Sequence, residues 1–173
     1  MTRRRPARLA VVLALGLALG PPGAARAQEA PCPAVEVPAA TARLVAFRPG
    51  PSRGSGDMTL DGRLDKAVAS CSVADGRLTV QLRLEFVVRR GPANQSRRAD
   101  LAYFVALIDD RGGIRDKRIF PAEAAFGERT RLRLSEELEL VIPLTRGSVP
   151  TGHRIYVGFQ LSQEQLRYNR TAP

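Results

Sequence analysis

The side chains of this chain that could attack, protonate or ligate are few: two cysteines, one histidine and short groupings of acids. Glu136, Glu137 and Glu139 are the densest of the acids. On an extended strand Glu137 and Glu139 share a face, roughly 7 Å apart along the chain. That overlaps the separation of about 6.5–9.5 Å between the carboxyl groups of inverting glycosidases. Such enzymes hold sugar rings on aromatic side chains in a cleft, whereas this chain has no Trp and its six Phe and three Tyr fall mostly at core phases. A solvated strand face is therefore the expectation for the glutamates, and a hydrolase acting in the cell envelope is a remote alternative.

The other groupings lead to plainer readings. His153 is the single histidine and sits in the turn-rich stretch Pro150-Thr151-Gly152-His153. A catalytic triad needs its histidine held by an acid and aimed at a nucleophile, and neither Ser135 nor Ser148 lies in a nucleophile elbow. His153 is expected as an exposed turn residue. Two cysteines and one histidine fall short of the four ligands of structural zinc. Asp109-Asp110, beside Gly112-Gly113, and the trio Asp57, Asp61 and Asp65 offer oxygen ligands for calcium, but neither matches EF-hand spacing. Both are expected to do turn chemistry. No catalytic residue, metal site or cofactor is assigned, and the chain reads as non-enzymatic.

The N-terminal segment sets the expected compartment. Arg3, Arg4, Arg5 and Arg8 precede an apolar run over 9–19, followed by Pro21-Pro22-Gly23 and a small-residue site at Ala25-Arg26-Ala27. Eleven apolar residues are too short for a bilayer core about 30 Å thick. The pattern predicts a secretory signal peptide over 1–27, cleaved before Gln28. General secretion is preferred to a twin-arginine route, because Arg3-Arg4-Arg5-Pro6 lacks the usual apolar pair that follows. Five arginines and no acid would leave with the segment, so the formal charge falls from +10 to +5. Only Lys66 and Lys117 are lysines among 27 basic residues, a bias that fits a GC-rich genome as well as an acidic partner.

Export to an oxidising compartment makes one disulfide, Cys32–Cys71, the expected state of the two cysteines. Closing a loop of about 40 residues is worth roughly 3–4 kcal/mol through loop-closure entropy. The competing reading is a lipidated Cys32, but Glu29-Ala30-Pro31 before it is not a lipobox.

The elements that must position these residues are strands. Residues 28–40 carry Pro31, Pro33 and Pro38 and read as an extended leader; 41–173 read as one domain. A first strand is expected over 41–47, then a turn-rich loop over 48–56. Residues 57–64 are ambiguous, since aspartates every four residues suggest a helix and Gly62 opposes it. The strongest signal is a hairpin: 66–74, the turn Asp75-Gly76, then 77–89. In its second strand Leu78, Val80, Leu82, Leu84, Phe86 and Val88 alternate with Thr79, Gln81, Arg83, Glu85 and Arg89, the period of a strand with one buried face. Residues 101–109 are apolar on both faces, as in a doubly covered central strand. Further strands are expected over 114–120, 130–134, 138–144 and 155–161, with Pro121 and Pro143 marking edges or ends. Ser162, with Gln165 three residues on, would cap one short helical turn through Tyr168. Seven to nine strands with short loops predict an all-β fold: a two-sheet antiparallel β-sandwich, immunoglobulin-like in architecture, with a short C-terminal helical turn. A small barrel is the alternative.

Tyr103-Phe104-Val105-Ala106, Glu136-Glu137-Leu138-Glu139 before Ile142-Pro143-Leu144, and Gly158-Phe159-Gln160-Leu161 with Gln165-Leu166 and Tyr168-Asn169-Arg170 carry a resemblance. On these residues the chain resembles an uncharacterised family of small exported alphaproteobacterial envelope proteins, often labelled lipoproteins. The resemblance runs from about Cys32 to Arg170 and is most specific at the C-terminal end. It implies a bacterial envelope setting and no particular chemistry. This chain lacks the lipobox cysteine, so membrane anchoring does not carry over.

Two kinds of partner follow. One is another envelope protein, bound through a sheet edge or through the C-terminal residues Tyr168, Asn169 and Arg170, which would otherwise fold back and plug the sandwich. The other is an anionic envelope ligand, such as a lipid headgroup, lipopolysaccharide or peptidoglycan. It would meet Arg89, Arg90, Arg97 and Arg98 around one loop and Arg129, Arg131 and Arg133 along one strand. Nucleic acid is not expected, because export separates the chain from it and aromatic interleaving is absent. The expected location is the periplasm, with association to the outer membrane as a further option.

Overall fold

The computed structural model describes residues 27–144 and 150–171. Nearly all of the expected signal peptide, and Ser148, lie outside them. The described chain forms β1 (Gln28–Glu29), β2 (Ala34–Glu36), β3 (Arg43–Phe47), β4 (Met58–Ala74), β5 (Arg77–Arg90), β6 (Arg98–Ile108), β7 (Ile114–Ala125), β8 (Arg131–Pro143), β9 (Arg154–Phe159) and α1 (Gln163–Thr171). These make two sheets. In one, β1, β4, β5 and β8 lie in that order, with β3 also paired to β4; in the other the order is β2, β9, β6, β7. The fold is an all-β sandwich with one short C-terminal helix, and it does not close into a barrel.

The hairpin at its centre follows the alternation. Leu78, Val80, Leu82, Leu84, Phe86 and Val88 of β5 are all fully buried. Asp75 and Gly76 take positive φ, 50° and 70°, as a two-residue turn of the primed type needs. Phe86 reaches across the sandwich to Tyr103 of β6 (ring centroids 5.1 Å) and Phe159 of β9 (5.3 Å). These rings join the two sheets, because apolar faces of both are removed from water by one contact layer. β6, apolar on both faces, lies between β9 and β7.

Four local expectations change. Residues 57–64 are neither helix nor separate: β4 runs unbroken from Met58 to Ala74. Its alternation is obscured by a bulge between Leu64 and Lys66, and by Gly62, whose place is inward; a Cβ there would meet Phe159 at 3.2 Å. The stretches 130–134 and 138–144 are one strand, β8. The interruption is Glu136, an acid at an inward position that accepts a hydrogen bond from the Tyr103 hydroxyl, 3.3 Å. Pairing is antiparallel except for β2, which runs parallel to β9, since the two are distant in sequence and no hairpin sets their direction. The leader is extended and belongs to the sandwich, with β1 paired to β4 and β2 to β9.

Cys32 and Cys71 form the disulfide, fastening the leader to β4 next to the Ala30 N–H···O=C Cys71 bond of 3.0 Å. Among the described residues no helix is long and apolar enough to cross a membrane.

Candidate interaction surfaces

The residues considered for catalysis do not converge. Glu137 and Glu139 lie on the outer face of β8, where Glu137 pairs with Arg83 (2.7 Å) and Glu139 accepts from the Gln81 amide (2.6 Å). Glu136 faces the other way. Its partner Tyr103 is buried in the core, and that burial, with the Glu136 carboxylate second, raises the phenol well above its ordinary pKa. His153 is half-buried at the entrance to β9 instead of exposed, and its Nδ1 has no hydrogen-bond partner among the described residues. Among the described residues no three His, Cys, Asp or Glu side chains gather in a way that could hold a metal ion.

Asp109 and Asp57 serve turns, whereas Asp61 and Asp65, expected in turns, lie within β4 and pair with arginines of other strands. Asp109 accepts the N–H groups of Gly113 (2.6 Å) and Arg111 (3.0 Å) and pairs with Arg115 (2.8 Å). The Gly113 N–H is the main reason its carboxyl is held below the usual carboxylate range. Asp57 accepts from Ser52 and pairs with Arg48, with the same direction of shift and the Ser52 hydrogen bond as its main cause. Asp61 pairs with Arg43 (2.9 Å), and Asp65, at the β4 bulge, pairs with Arg133 (2.9 Å).

The arginines gather at one end of the sandwich more closely than their sequence positions suggest. The loops following β5 and β7 meet there: Phe126 N–H donates to Arg97 O (2.8 Å), and Arg90 N–H to Thr130 O (2.8 Å). Asn94 builds the first loop, its amide donating to Arg98 O (2.8 Å) and its carbonyl accepting Arg97 N–H (3.0 Å). This holds Arg97 at a positive φ of 58°. Gly91 lets the backbones touch, since a Cβ there would lie 2.1 Å from Met58 O. Three of the arginines are neutralised: Arg97 by Glu128, Arg98 by Glu123 (3.2 Å), and Arg133 by Asp65 and Glu85 (2.9 Å each). Among the described residues Arg89, Arg90, Arg129 and Arg131 form no ion pair, and Arg89 stands directly opposite Arg131.

The C-terminal segment is a helix laid against β3. Ser162 and Gln165 cap it reciprocally, Ser162 N–H to Gln165 Oε1 (2.8 Å) and Gln165 N–H to Ser162 Oγ (3.2 Å), the capping box that their spacing suggests. Tyr168 packs edge-on against Phe47 (5.3 Å between centroids). The Asn169 amide donates to Ala40 O (3.0 Å) and Arg43 O (2.7 Å). Arg170 is exposed. Two of the three residues considered for partner binding therefore contact the chain's own β3 region.

The largest unused backbone surface is the margin of β8. The strand is paired only with β5 among the described residues, over 13 residues with constant register. A shallow cleft of about 40 Å³ lies between β8 and the second sheet, lined by Val105, Leu107, Leu140, Ile142 and Ile155 with Asp116 and Arg118 at its rim. Pro143 marked the second half of this strand as an edge or an end, but the length of the open margin could not be read from the sequence, because pairing partners are decided by the fold.

No family model matches the chain, and neither a curated protein nor a solved structure is significantly similar to it. Fold and surface together define a two-sheet β-sandwich in which, among the described residues, β8 ends one sheet and β7 the other with no further strand paired to them.

Proposed function

We propose that this chain is a non-enzymatic, exported β-sandwich of the bacterial cell envelope, working in the periplasm as a protein-interaction module. The observation that carries this reading is the open margin of β8: a long, regular strand whose outward main-chain groups have no partner among the described residues. Such a margin takes an added strand through main-chain hydrogen bonds. The disulfide, the basic-then-apolar N-terminal segment and the resemblance at the C-terminal end support an envelope setting. The packing of α1 on β3 favours the sheet margin over the C-terminal helix as the contact. A photo-crosslinking residue at position 135, on β8, compared with one at 167, on α1, tests this in native periplasm and outer membrane. Capture from 135 alone is expected. Capture from 167 alone would move the contact to the helix and overturn the reading.

A second reading has its own observation, the unpaired Arg89, Arg90, Arg129 and Arg131 at one end. These would bind an anionic lipid headgroup or envelope glycan, with affinity that falls as salt rises. Binding to anionic vesicles that is unchanged by about 0.5 M salt, where the screening length is well below 10 Å, or by replacing these arginines with glutamine, would remove it.

A further inference from the structure

We infer that the occupant of the β8 margin is the β8 strand of a second copy of this chain, antiparallel and on a two-fold axis through Ser135. The inference rests on the open-margin reading above and names its partner.

The direction of the backbone groups comes first. Arg90 N–H donates to Thr130 O at one end of the β5–β8 ladder, and Leu144 N–H donates to Gly76 O at the other, 2.8 Å each. The register between them is constant. In an antiparallel ladder, residues alternate between those that exchange hydrogen bonds with the neighbour and those that point away. The even-numbered residues of β8 therefore bond to β5. Arg131, Arg133, Ser135, Glu137, Glu139 and Val141 turn their N–H and C=O groups to the open side. Those same residues are the exposed ones.

Their charges come second. Read along the strand, the five residues from Arg131 to Glu139 are positive, positive, neutral, negative, negative. Reversed, this order is its own complement. A two-fold axis at Ser135 sets Arg131 opposite Glu139, Arg133 opposite Glu137 and Ser135 opposite itself. Each is a narrow pair with Cα atoms about 5.5 Å apart, two hydrogen bonds to a pair, about ten in all. An axis at Arg133 or Glu137 would set like charges together. An axis at Leu134 or Glu136 would leave Arg133 or Glu137 facing serine. On the inner face the Ser135 axis brings Leu132 opposite Leu138.

The present neighbours point the same way. Arg131 faces Arg89 across β5, a like-charge pair that costs stability, and the second copy's Glu139 would answer it. Arg133 already bridges to Glu85, and Glu137 to Arg83. Across the joined sheet the rows would read Glu85, Arg133, Glu137, Arg83, alternating in sign from one subunit into the next. Two of the usual obstacles to edge pairing, proline and bulge, are missing from the middle of β8; β7 has Pro121 midway. The result is one continuous sheet from two five-stranded ones, and its isologous contact closes at two.

The test is the mass in solution of the full chain, purified with its disulfide intact, by analytical ultracentrifugation at micromolar concentration. The wild type is expected at twice the chain mass. R131E/R133E and E137R/E139R are each expected to weaken association by at least about tenfold, and their equimolar mixture to restore the dimer as a heterodimer. Because R133E also breaks the intrachain pairs, Ser135→Pro is the second variant. It removes an outward N–H and leaves the β5 ladder intact, so it should be monomeric, and should match the wild type's melting temperature once both are diluted to where the wild type has dissociated. A wild type that is monomeric throughout, or a dimer indifferent to these changes, overturns the inference. If the wild type is monomeric and position 135 crosslinks to a different protein, self-pairing falls and the open-margin reading stands. If position 135 crosslinks to nothing, both fall.

Discussion

Along β4, one margin of the five-stranded sheet is occupied over both halves of the strand: β3 pairs with residues from Met58 to Arg63, and β1 pairs with Ser72 and Val73. The disulfide fastens β1's segment to β4, and α1 lies against β3, with Asn169 reaching the carbonyls of Ala40 and Arg43. Along β8, the opposite margin, the described residues supply no strand, no cross-link and no helix. The covering pieces are the two ends of the described chain, and both go to the same side. An uncovered strand is a hazard that proteins usually blunt with proline, bulges or charge. Short of Pro143 at its end, β8 uses charge, arranged by sign along its length. The comparison teaches that the β4 margin is a matter of folding and the β8 margin a matter of association, so changes on the two sides should separate in their effects.

The largest effect belongs to the covered side. Cys71→Ser is expected to cost about 3–4 kcal/mol through loop-closure entropy, and to lower the melting temperature by roughly 10 °C for a domain of this size. Calorimetry with and without reductant measures it, and an equal loss from Ser135→Pro would break the comparison. Next is Asn169→Ala, which removes two hydrogen bonds of α1 to the chain beside β3. A loss of about 1–2 kcal/mol should appear as a lower urea midpoint with an unchanged slope.

Acid sharpens the same side. Asp57 closes the loop leading from β3 into β4, and its folded pKa is depressed. Its contribution is complete above the unfolded aspartate pKa of about 3.9, and is lost as pH falls below that and through the lower folded value. Asp57→Asn should therefore melt below the wild type at neutral pH and converge with it in acid, as a melting-temperature series against pH would record. The smallest effect is on the open side. Arg83→Ala breaks a solvent-exposed pair with Glu137 and should change monomer stability by less than about 1 kcal/mol, as urea denaturation at low protein concentration would show.

Legibility in the sequence followed how local each cause was. β5 was fully readable, because one face of it is solvated and one is buried, and the alternation records that directly. The capping box of α1 was readable for the same reason, since Ser162 and Gln165 act on backbone groups within one turn. β4 was not, because the residue that breaks its period, Asp65, sits at a bulge set by pairing with β5, and Gly62 is inward to leave room for Phe159 from the other sheet. β8 was split in two because Glu136 answers Tyr103, which is 33 residues away. The arginines could be counted, but whether they met could not be foreseen. Arg89 and Arg131 are brought opposite by the β5–β8 register, and Arg97 is brought to the same end by the bond from Phe126 N–H.

Taken alone, the sequence determined the strand periods, the central hairpin turn, the helix cap and, with two cysteines, the only disulfide available. Each follows from neighbours a few residues apart or from elimination. The tertiary structure alone decided which margin of which sheet is covered and which residues of β8 turn their backbone groups outward. Those depend on pairings between strands far apart in the chain, where the competing registers differ by burial and charge summed over whole faces.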